Sequence, residues 1–201
     1  MSFHDIIEKM NNFDLKYDVS NNEQESKRKI KAFENELNIN LDELYKEFVI
    51  RYGGSTIQAD NVLFPSLEEN PLASNNHLRL GLFYGFGVDD NDFDVKSMTV
   101  TYEEQMPDWI IPIADGDGGD QVCLGVKGEA TGKVYFWDHE LTNGVKDTFL
   151  VANSFSGFIQ SLFIEEASDE EDDGILYIEL DDDFSIAKLS SQKESFFISD
   201  S

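Results

Sequence analysis

The sequence predicts an α+β fold, with a mainly antiparallel, twisted sheet packed by N-terminal helices and closed by a C-terminal helix. Residues 110–139 contain three apolar segments separated by short turns. Strands joined by so few residues must pair antiparallel, because a parallel pair needs a long crossover. Helical patterns precede and follow this region. With 40% hydrophobic and 12% aromatic residues among 201, the chain can bury a sizeable core.

Three helices are predicted in the first quarter of the chain. The first covers residues 2–10, and residues 11–22 are interpreted as a polar linker. The second begins at Asn22, because Glu25 three residues later gives a start like a capping box. The third follows a cap at Asn40 and ends at a glycine pair, which tolerates the left-handed backbone of a helix end. The apolar positions of their inner faces are Phe3, Ile6, Ile7 and Met10; Ile30, Phe33 and Leu37; and Leu41, Leu44, Tyr45, Phe48, Val49 and Tyr52.

Strands are predicted through the middle of the chain, and one helix after them. The segment VKSMTVTY alternates polar and apolar residues, which favours a half-exposed strand. Pro112 lies among isoleucines and indicates a strand start or a sheet edge, because proline cannot donate to a ladder. Asn153 or Ser154 is expected to cap a closing helix over 155–163, with Phe155, Phe158, Ile159 and Leu162 inward. The predicted strands are 78–84, 95–102, 110–113, 122–126 and 134–137; residues 62–64 are interpreted as a short strand or a turn, and 148–152 as a further apolar segment.

Composition divides the chain into an N-terminal extension (1–22), one domain (23–164) and an acidic C-terminal extension (165–201) with a small hairpin at 175–187. The net charge is −26; such a field repels nucleic acid and anionic membranes and favours basic partners. The first residues do not resemble a signal peptide, and no apolar run reaches the roughly 18 residues of a membrane helix. The single cysteine, Cys123, lies in an apolar run and fits a reducing compartment. A cytoplasmic protein is therefore expected.

The turn from Asp115 through Asp117 to Asp120 invites a calcium interpretation, which its spacing does not support. An EF-hand loop needs oxygen ligands at positions one, three and five, glycine at six and glutamate at twelve. Counted from Asp115, those last three positions hold Gly119, Asp120 and Val126. A glycine-rich turn between strands is the better account. Calcium binding through the acidic loops remains a minor hypothesis, and no metal site or other cofactor is predicted.

The residues that carry most enzyme chemistry are sparse and scattered. His4, His77 and His139 are far apart in sequence, and none has a partner at metal-ligand spacing. Ser154 lacks a GxSxG context, and Cys123 lies in an apolar strand, which raises rather than lowers the pKa of a thiol. No phosphate-binding glycine motif is present. The sequence therefore favours a binding protein over an enzyme.

Acidic residues recur in the turns and at the strand ends of the predicted sheet. If these turns lie on one side, they form a continuous anionic surface, and aromatic side chains inside such a rim are typical of tight interfaces. Tyr102, Trp109 and Trp137 are the available aromatics; the alternative is that both tryptophans belong to the core. The predicted partner-binding acids are Asp89, Asp90, Asp92, Asp94, Glu103, Glu104, Asp115, Asp117, Asp120, Asp138 and Glu140.

The order of these motifs resembles the SUKH superfamily, the Smi/Knr-like group of fungal cell-wall regulators and bacterial immunity proteins. The resemblance covers residues 23–163, and each motif is weak alone. It implies the α+β fold predicted above and carries no catalytic residues. The motifs are Ile30, Phe33, Glu34 and Leu37; Leu41, Tyr45, Phe48 and Gly53–Gly54; Pro112–Ala114; Asp117–Asp120 with Val122–Leu124; Gly132–His139; and Val151–Phe158.

The resemblance implies two roles. In the first, the chain is an immunity protein that binds a cognate basic toxin, expected to be a nuclease, and blocks its active site; basic toxins suit this chain because nucleases grip phosphate. In the alternative, it is a regulatory scaffold for protein interactions, as in the fungal members. Neither role involves nucleic acid or a membrane as the partner.

Overall fold

The computed structural model describes residues 2–17, 22–59, 61–71, 73, 75–116, 118–141 and 146–165. The predicted hairpin at 175–187 therefore lies outside the described residues. The helices are α1 (Phe3–Met10), α2 (Glu23–Leu37), α3 (Glu43–Tyr52), α4 (Val95–Thr101) and α5 (Phe155–Ser161). The strands are β1 (Leu15–Tyr17), β2 (Ser55–Ile57), β3 (Val62–Pro65), β4 (His77–Arg79), β5 (Leu82–Phe83), β6 (Ile110–Asp115), β7 (Gln121–Gly125), β8 (Val134–Trp137), β9 (Thr148–Ala152) and β10 (Phe163–Ile164).

The strands form two antiparallel sheets, which confirms the α+β fold class. Seven strands lie in the order β1-β2-β5-β6-β7-β8-β9, and three in the order β10-β3-β4. The meander predicted over 110–139 is present as β6, β7 and β8. Cys123 in its middle strand pairs with Pro112 on one side and Tyr135 on the other.

Strands β6 and β7 are buried on both faces. Alternate residues of a strand point to opposite faces, and here Val122 and Leu124 join the main core. Cys123 joins a smaller cluster with Ile110 and Trp137, which is covered by partly buried residues from 102 to 109. Burial on both faces explains why these strands read as continuous apolar runs rather than as alternating ones.

The main core lies between the large sheet and the helices. Phe48 of α3 contacts Phe83 of β5 and Phe155 of α5, with ring centroids 4.9 and 5.1 Å apart. Ile6 and Met10 of α1 are also buried in this core. Helix α1 thus packs on the same core as the later elements. No helix in the described part of the chain is both long enough and apolar enough to cross a membrane.

The strand predicted over 95–102 is wrong, because these residues form helix α4. Asp94 caps the helix, its side chain accepting a hydrogen bond from the Ser97 amide at 3.1 Å. Val95 is fully buried and Met98 packs against the core three residues later. Thr99 follows at helical spacing, and its hydroxyl donates to the Val95 carbonyl at 2.7 Å. The cap and this packing override the β propensity of valine and threonine.

Three predictions near the N-terminus are corrected. The linker over 11–22 contains strand β1, which pairs antiparallel with β2 at the edge of the large sheet. The cap of α3 is Asp42 rather than Asn40, because the Asp42 carboxylate accepts the Tyr45 amide at 3.1 Å. Leu37 is 37% exposed rather than inward. The cap at Asn22 is confirmed, since its side chain accepts from the Glu25 amide.

Two predictions about strands are also corrected. The segment 78–84 is divided between β4 in the small sheet and β5 in the large sheet, so the chain changes sheets at Leu80 and Gly81. Pro112 lies at neither a strand start nor a sheet edge, because β6 runs between β5 and β7. The register of β6 with β7 shifts between Pro112 and Ala114, and such a bulge accommodates the missing proline donor.

Candidate functional site

The predicted partner-binding acids fall into three places. Asp115, Asp120, Asp138 and Glu140 lie where β6, β7 and β8 meet at one end of the meander. Asp89 to Asp94 lie in the segment before α4, and Glu103 and Glu104 follow that helix. Asp117 lies outside the described residues. The structure therefore joins only the first group into one constellation.

The loop before α4 contains both exposed and engaged acids. Asp94 is half-buried, and besides capping α4 it accepts the Gly87 amide at 2.8 Å. Asp90 accepts the amide of Asp92 at 3.0 Å, and both are exposed, as is Asp89. Charge on exposed carboxylates remains hydrated, so this loop can present negative potential to a partner at little cost in folding stability.

The aromatic residues proposed as anchors differ in exposure. Trp137 is fully buried; its ring lies 5.2 Å from that of Tyr102, and its Nε1 donates to Asp147 at 3.3 Å. It is therefore a core residue in this structure. Trp109 and Tyr102 are half-buried, and Trp109 stacks edge-on against Tyr135 at 5.0 Å. Only these two of the three reach the surface.

At the end of the meander, Asp120 and His139 form a close pair across β7 and β8. The Asp120 carboxylate is 3.0 Å from the His139 amide nitrogen and 2.8 Å from its ring Nδ1. The Asp120 side chain is 8% exposed and that of His139 is 36% exposed. Gly119, at a φ of 105°, leaves no side chain beside the ring; a Cβ there would lie 3.5 Å from it. The turn thus seats the imidazole between backbone and carboxylate.

Asp138 places a second carboxylate at the same point, and it is only 1% exposed. Its Oδ1 accepts the Glu140 amide at 2.9 Å. Its Oδ2 is buried and has no hydrogen-bond partner within the described structure. One ligand atom each from Asp120, Asp138 and His139 lie within 4.8 Å of one another. Among the described residues, these three are the set that could hold a metal ion.

Burial governs the protonation of this constellation. Burial raises the pKa of Asp120, and the nearby Asp138 charge raises it further, although the hydrogen bonds from His139 act in the opposite direction. The pKa of His139 is raised chiefly by its hydrogen bond to Asp120. The pKa values of Asp120 and His139 are thus both raised. For Asp120 this means that desolvation outweighs the hydrogen bonds from His139.

A polar cleft of about 580 Å³ opens beside this constellation. It lies between the small sheet and the end of the meander, and its lining carries both signs of charge. Such a cleft suits a small polar or charged group better than an apolar one. The titratable residues in its lining are His77, Arg79, Asp120, His139, Glu140 and Glu165.

A second, more apolar groove of about 300 Å³ separates the end of α2 from α4. Leu37 on α2 and Val100 on α4 line it, and they are 37% and 59% exposed. Its lining also carries both signs of charge, since Lys96 pairs with Glu36 and Lys127 pairs with Asp108. Glu103 is a further acid in this lining. Sequence reasoning missed this groove because Leu37 was assigned to the core and α4 to a strand.

The thiol of Cys123 is not a reactive group of the cleft or of the groove. Cys123 is fully buried in the second core cluster. Burial raises the pKa of its thiol well above the ordinary value, so little thiolate forms near neutral pH. This agrees with its interpretation as a core residue.

Comparison with known proteins now identifies the family. The profile of the SMI1 / KNR4 family (SUKH-1) matches residues 25–161, which span most of α2, then α3, α4, the meander and α5. The chain belongs to the SMI1/KNR4 family. The resemblance inferred from the sequence motifs is thereby confirmed. This family is known for immunity proteins rather than for catalysts.

A similar protein lies in a bacterial prophage. It is the "SPbeta prophage-derived uncharacterized protein YokK" of Bacillus subtilis (strain 168), 38% identical over 199 residues. The alignment covers 91% of this chain and 98% of that protein. The similarity therefore extends beyond the 25–161 match to the flanking segments.

Proposed function

We propose that this protein is an immunity protein that binds a cognate polymorphic toxin and neutralises it by blocking a basic active site, with a nuclease as the toxin. The observation that carries the proposal is membership of the SMI1/KNR4 family, whose match covers 25–161. Such a protein needs a stable body and a complementary surface, and it needs no catalytic apparatus of its own. The proposal accordingly treats the protein as a binding partner and not as an enzyme.

Charge supports a basic partner. The chain carries 41 acidic residues against 15 basic ones. Asp89, Asp90 and Asp92 are exposed before α4, and Glu103 and Glu104 are exposed after it. Nuclease active sites are basic because they bind phosphate, so opposite potentials would accelerate the encounter. In this proposal the exposed acids set the association rate.

Apolar contact would supply residence time. Trp109 and Tyr102 are half-buried, and Tyr102 also lines the groove that contains Leu37 and Val100. Anchors that fill an apolar depression inside a polar rim dominate the energetics of many interfaces. We place the toxin across the α4 region, with exposed acids on both sides of that helix.

The first test is protection of growth. The C-terminal domain of a toxin encoded in a neighbouring reading frame is expressed from an inducible promoter, with or without the full chain. Co-expression should restore growth, and the two purified proteins should form a stoichiometric complex whose association slows as salt increases. A toxic domain that kills equally well with the chain present, and does not bind it, contradicts the proposal.

The second test locates the surface. Changing Asp89, Asp90 and Asp92 together to lysine should lower the association rate by about tenfold or more. The matched control changes the exposed acids Glu47, Glu69 and Glu129 to lysine, which alters the net charge by the same amount at other positions. Equal slowing in both variants would show that only net charge matters, and unchanged protection in the first would remove the loop from the interface.

A further inference from the structure

The Asp138 carboxylate is the least satisfied polar group at the end of the meander. It is 1% exposed, and its Oδ2 has no hydrogen-bond partner in the part of the chain that the structure describes. A buried carboxylate oxygen without a partner is costly, because it loses water and gains nothing in return. A cation bound to this carboxylate oxygen would remove the penalty.

The neighbouring groups already have the arrangement of a ligand set. Asp120 and His139 approach the same point, and the three ligand atoms lie within 4.8 Å of one another. Tetrahedral ligands at 2.0–2.2 Å from one ion lie about 3.3–3.6 Å apart. Side-chain rotations that move the ligand atoms by about 1 Å would therefore close the set around an ion.

We propose that Asp120, Asp138 and His139 bind one divalent cation of the zinc type. Two carboxylate oxygens and an imidazole nitrogen form a donor set that zinc accepts. Calcium and magnesium prefer oxygen ligands alone, so they are expected to bind more weakly here. The assignment rests on these side chains and is independent of the toxin-binding proposal.

The backbone holds these ligands in place. The Glu140 amide donates to Asp138 Oδ1 and the His139 amide donates to Asp120 Oδ1, so both carboxylates are oriented by fixed donors. Gly119 lies beside the imidazole at a φ of 105°, a backbone conformation that favours glycine. Outer hydrogen bonds of this kind orient metal ligands and strengthen their binding.

The site has an entry path. Asp120 and His139 line the 580 Å³ cleft, while Asp138 lies beneath them in the interior. Three protein ligands leave a zinc ion at least one further coordination position. That position would face the cleft, where water or a donor group from a bound molecule can complete the coordination.

Calorimetry and metal analysis on the full chain test the proposal. Chelator-treated protein is titrated with Zn²⁺, Mn²⁺, Ca²⁺ and Mg²⁺ at neutral pH. We expect one Zn²⁺ per chain, tighter binding of Zn²⁺ than of Ca²⁺ or Mg²⁺, and a rise in the melting temperature. Selective perturbation of the His139 ring signals in NMR spectra locates the ion, which separates it from weak binding to other acids.

Variants distinguish direct ligands from neighbours. Asp138→Asn and His139→Gln should each weaken Zn²⁺ binding by more than the roughly 10–100-fold expected when an outer-shell partner is lost. The matched controls Glu140→Gln and His77→Gln alter the same cleft outside the ligand set, and they should retain binding. Urea unfolding of each metal-free variant verifies that it folds.

Three outcomes would overturn the assignment. Zn²⁺ binding that survives both ligand variants would place the ion elsewhere, as would His139 signals that do not respond to the metal. The third is the absence of Zn²⁺ binding to the chelator-treated parent chain.

Discussion

Phe48 connects α3 to both the sheet and α5. Its ring is 2% exposed and lies 4.9 Å from Phe83 and 5.1 Å from Phe155, both in edge-to-face geometry. Replacing a buried phenylalanine with alanine costs about 3–5 kcal/mol through lost burial and the cavity left behind. Since domains are stable by about 5–15 kcal/mol, Phe48→Ala should remove about a fifth or more of that free energy.

A second substitution divides this loss into its parts. Phe48→Leu retains most of the buried volume but loses two edge-to-face ring pairs, each worth about 0.5–1.5 kcal/mol. We therefore expect Phe48→Leu to lose about 1–3 kcal/mol, less than the alanine variant. The control is Leu67→Ala, because Leu67 is 58% exposed and such a change should stay within about 0.5 kcal/mol.

Urea unfolding monitored by tryptophan fluorescence measures all three variants. The midpoint should decrease in the order control, leucine, alanine, with an unchanged dependence on urea concentration, because only the stability of the folded state changes. If Phe48→Ala costs no more than the Leu67 control, the rings do not form the main contact between these elements. If the leucine and alanine variants lose equal free energy, the ring pairs rather than the volume carry the stability.

Further predictions concern single groups. Ser26→Ala removes the hydroxyl that donates to the Phe86 carbonyl at 2.8 Å in the interior, so it should lower the free energy of unfolding by about 1–3 kcal/mol, measured in urea. Cys123 should not react with a thiol reagent in native protein and should react fully in urea, because burial raises its pKa; rapid native labelling would contradict its burial. NMR titration in chelator should place the pKa of His139 above its ordinary value of about 6.5, and Asp120→Asn should lower it. His139→Gln should therefore destabilise the metal-free protein most below about pH 6.5. The difference in stability between this variant and the parent chain should fade as the pH rises through the folded-state pKa of His139.

The meander and the flanking helices could be predicted because their signals are local. Val122, Leu124 and their neighbours form short apolar runs bounded by glycine and aspartate, and turns this short leave only antiparallel pairing. Asn22 and Ser154 both cap helices as their positions indicated. Each of these features depends on residues a few positions apart, which a sequence displays directly.

The failures arose where tertiary context decides between two local patterns. The segment from Val95 to Tyr102 satisfies strand alternation and also places Val95, Met98 and Thr99 at helical spacing. The Asp94 cap and burial of Val95 decide the outcome. The chain likewise changes from one sheet to the other at Leu80 and Gly81 because of how the strands pair. Strand pairing depends on distant residues and cannot be predicted from the local sequence.

The candidate site was only partly predictable for a related reason. The sequence predicts Asp120 and Asp138 as acids of turns, but His139 has no metal-ligand partner at local spacing and so is not predicted as a ligand. Pairing of Gln121 with Trp137 brings the ends of β7 and β8 together, and so brings His139 to Asp120. Trp137 was expected among the surface anchors or in the core, and its burial follows from the second face of the sheet being covered.

The exposed and the buried acids of this chain differ in how much their charge costs the folded state. Exposed carboxylates such as Asp89 and Asp92 keep their water, so a strong field costs the fold little. Asp120 and Asp138 lie together in the interior, where removing charge from water costs several kcal/mol unless an opposite charge is close. His139 supplies that charge to Asp120 and leaves Asp138 without one. Reversing the exposed loop acids therefore tests electrostatic steering without touching the ligand set, whereas Asp138→Asn tests the cation without changing the surface.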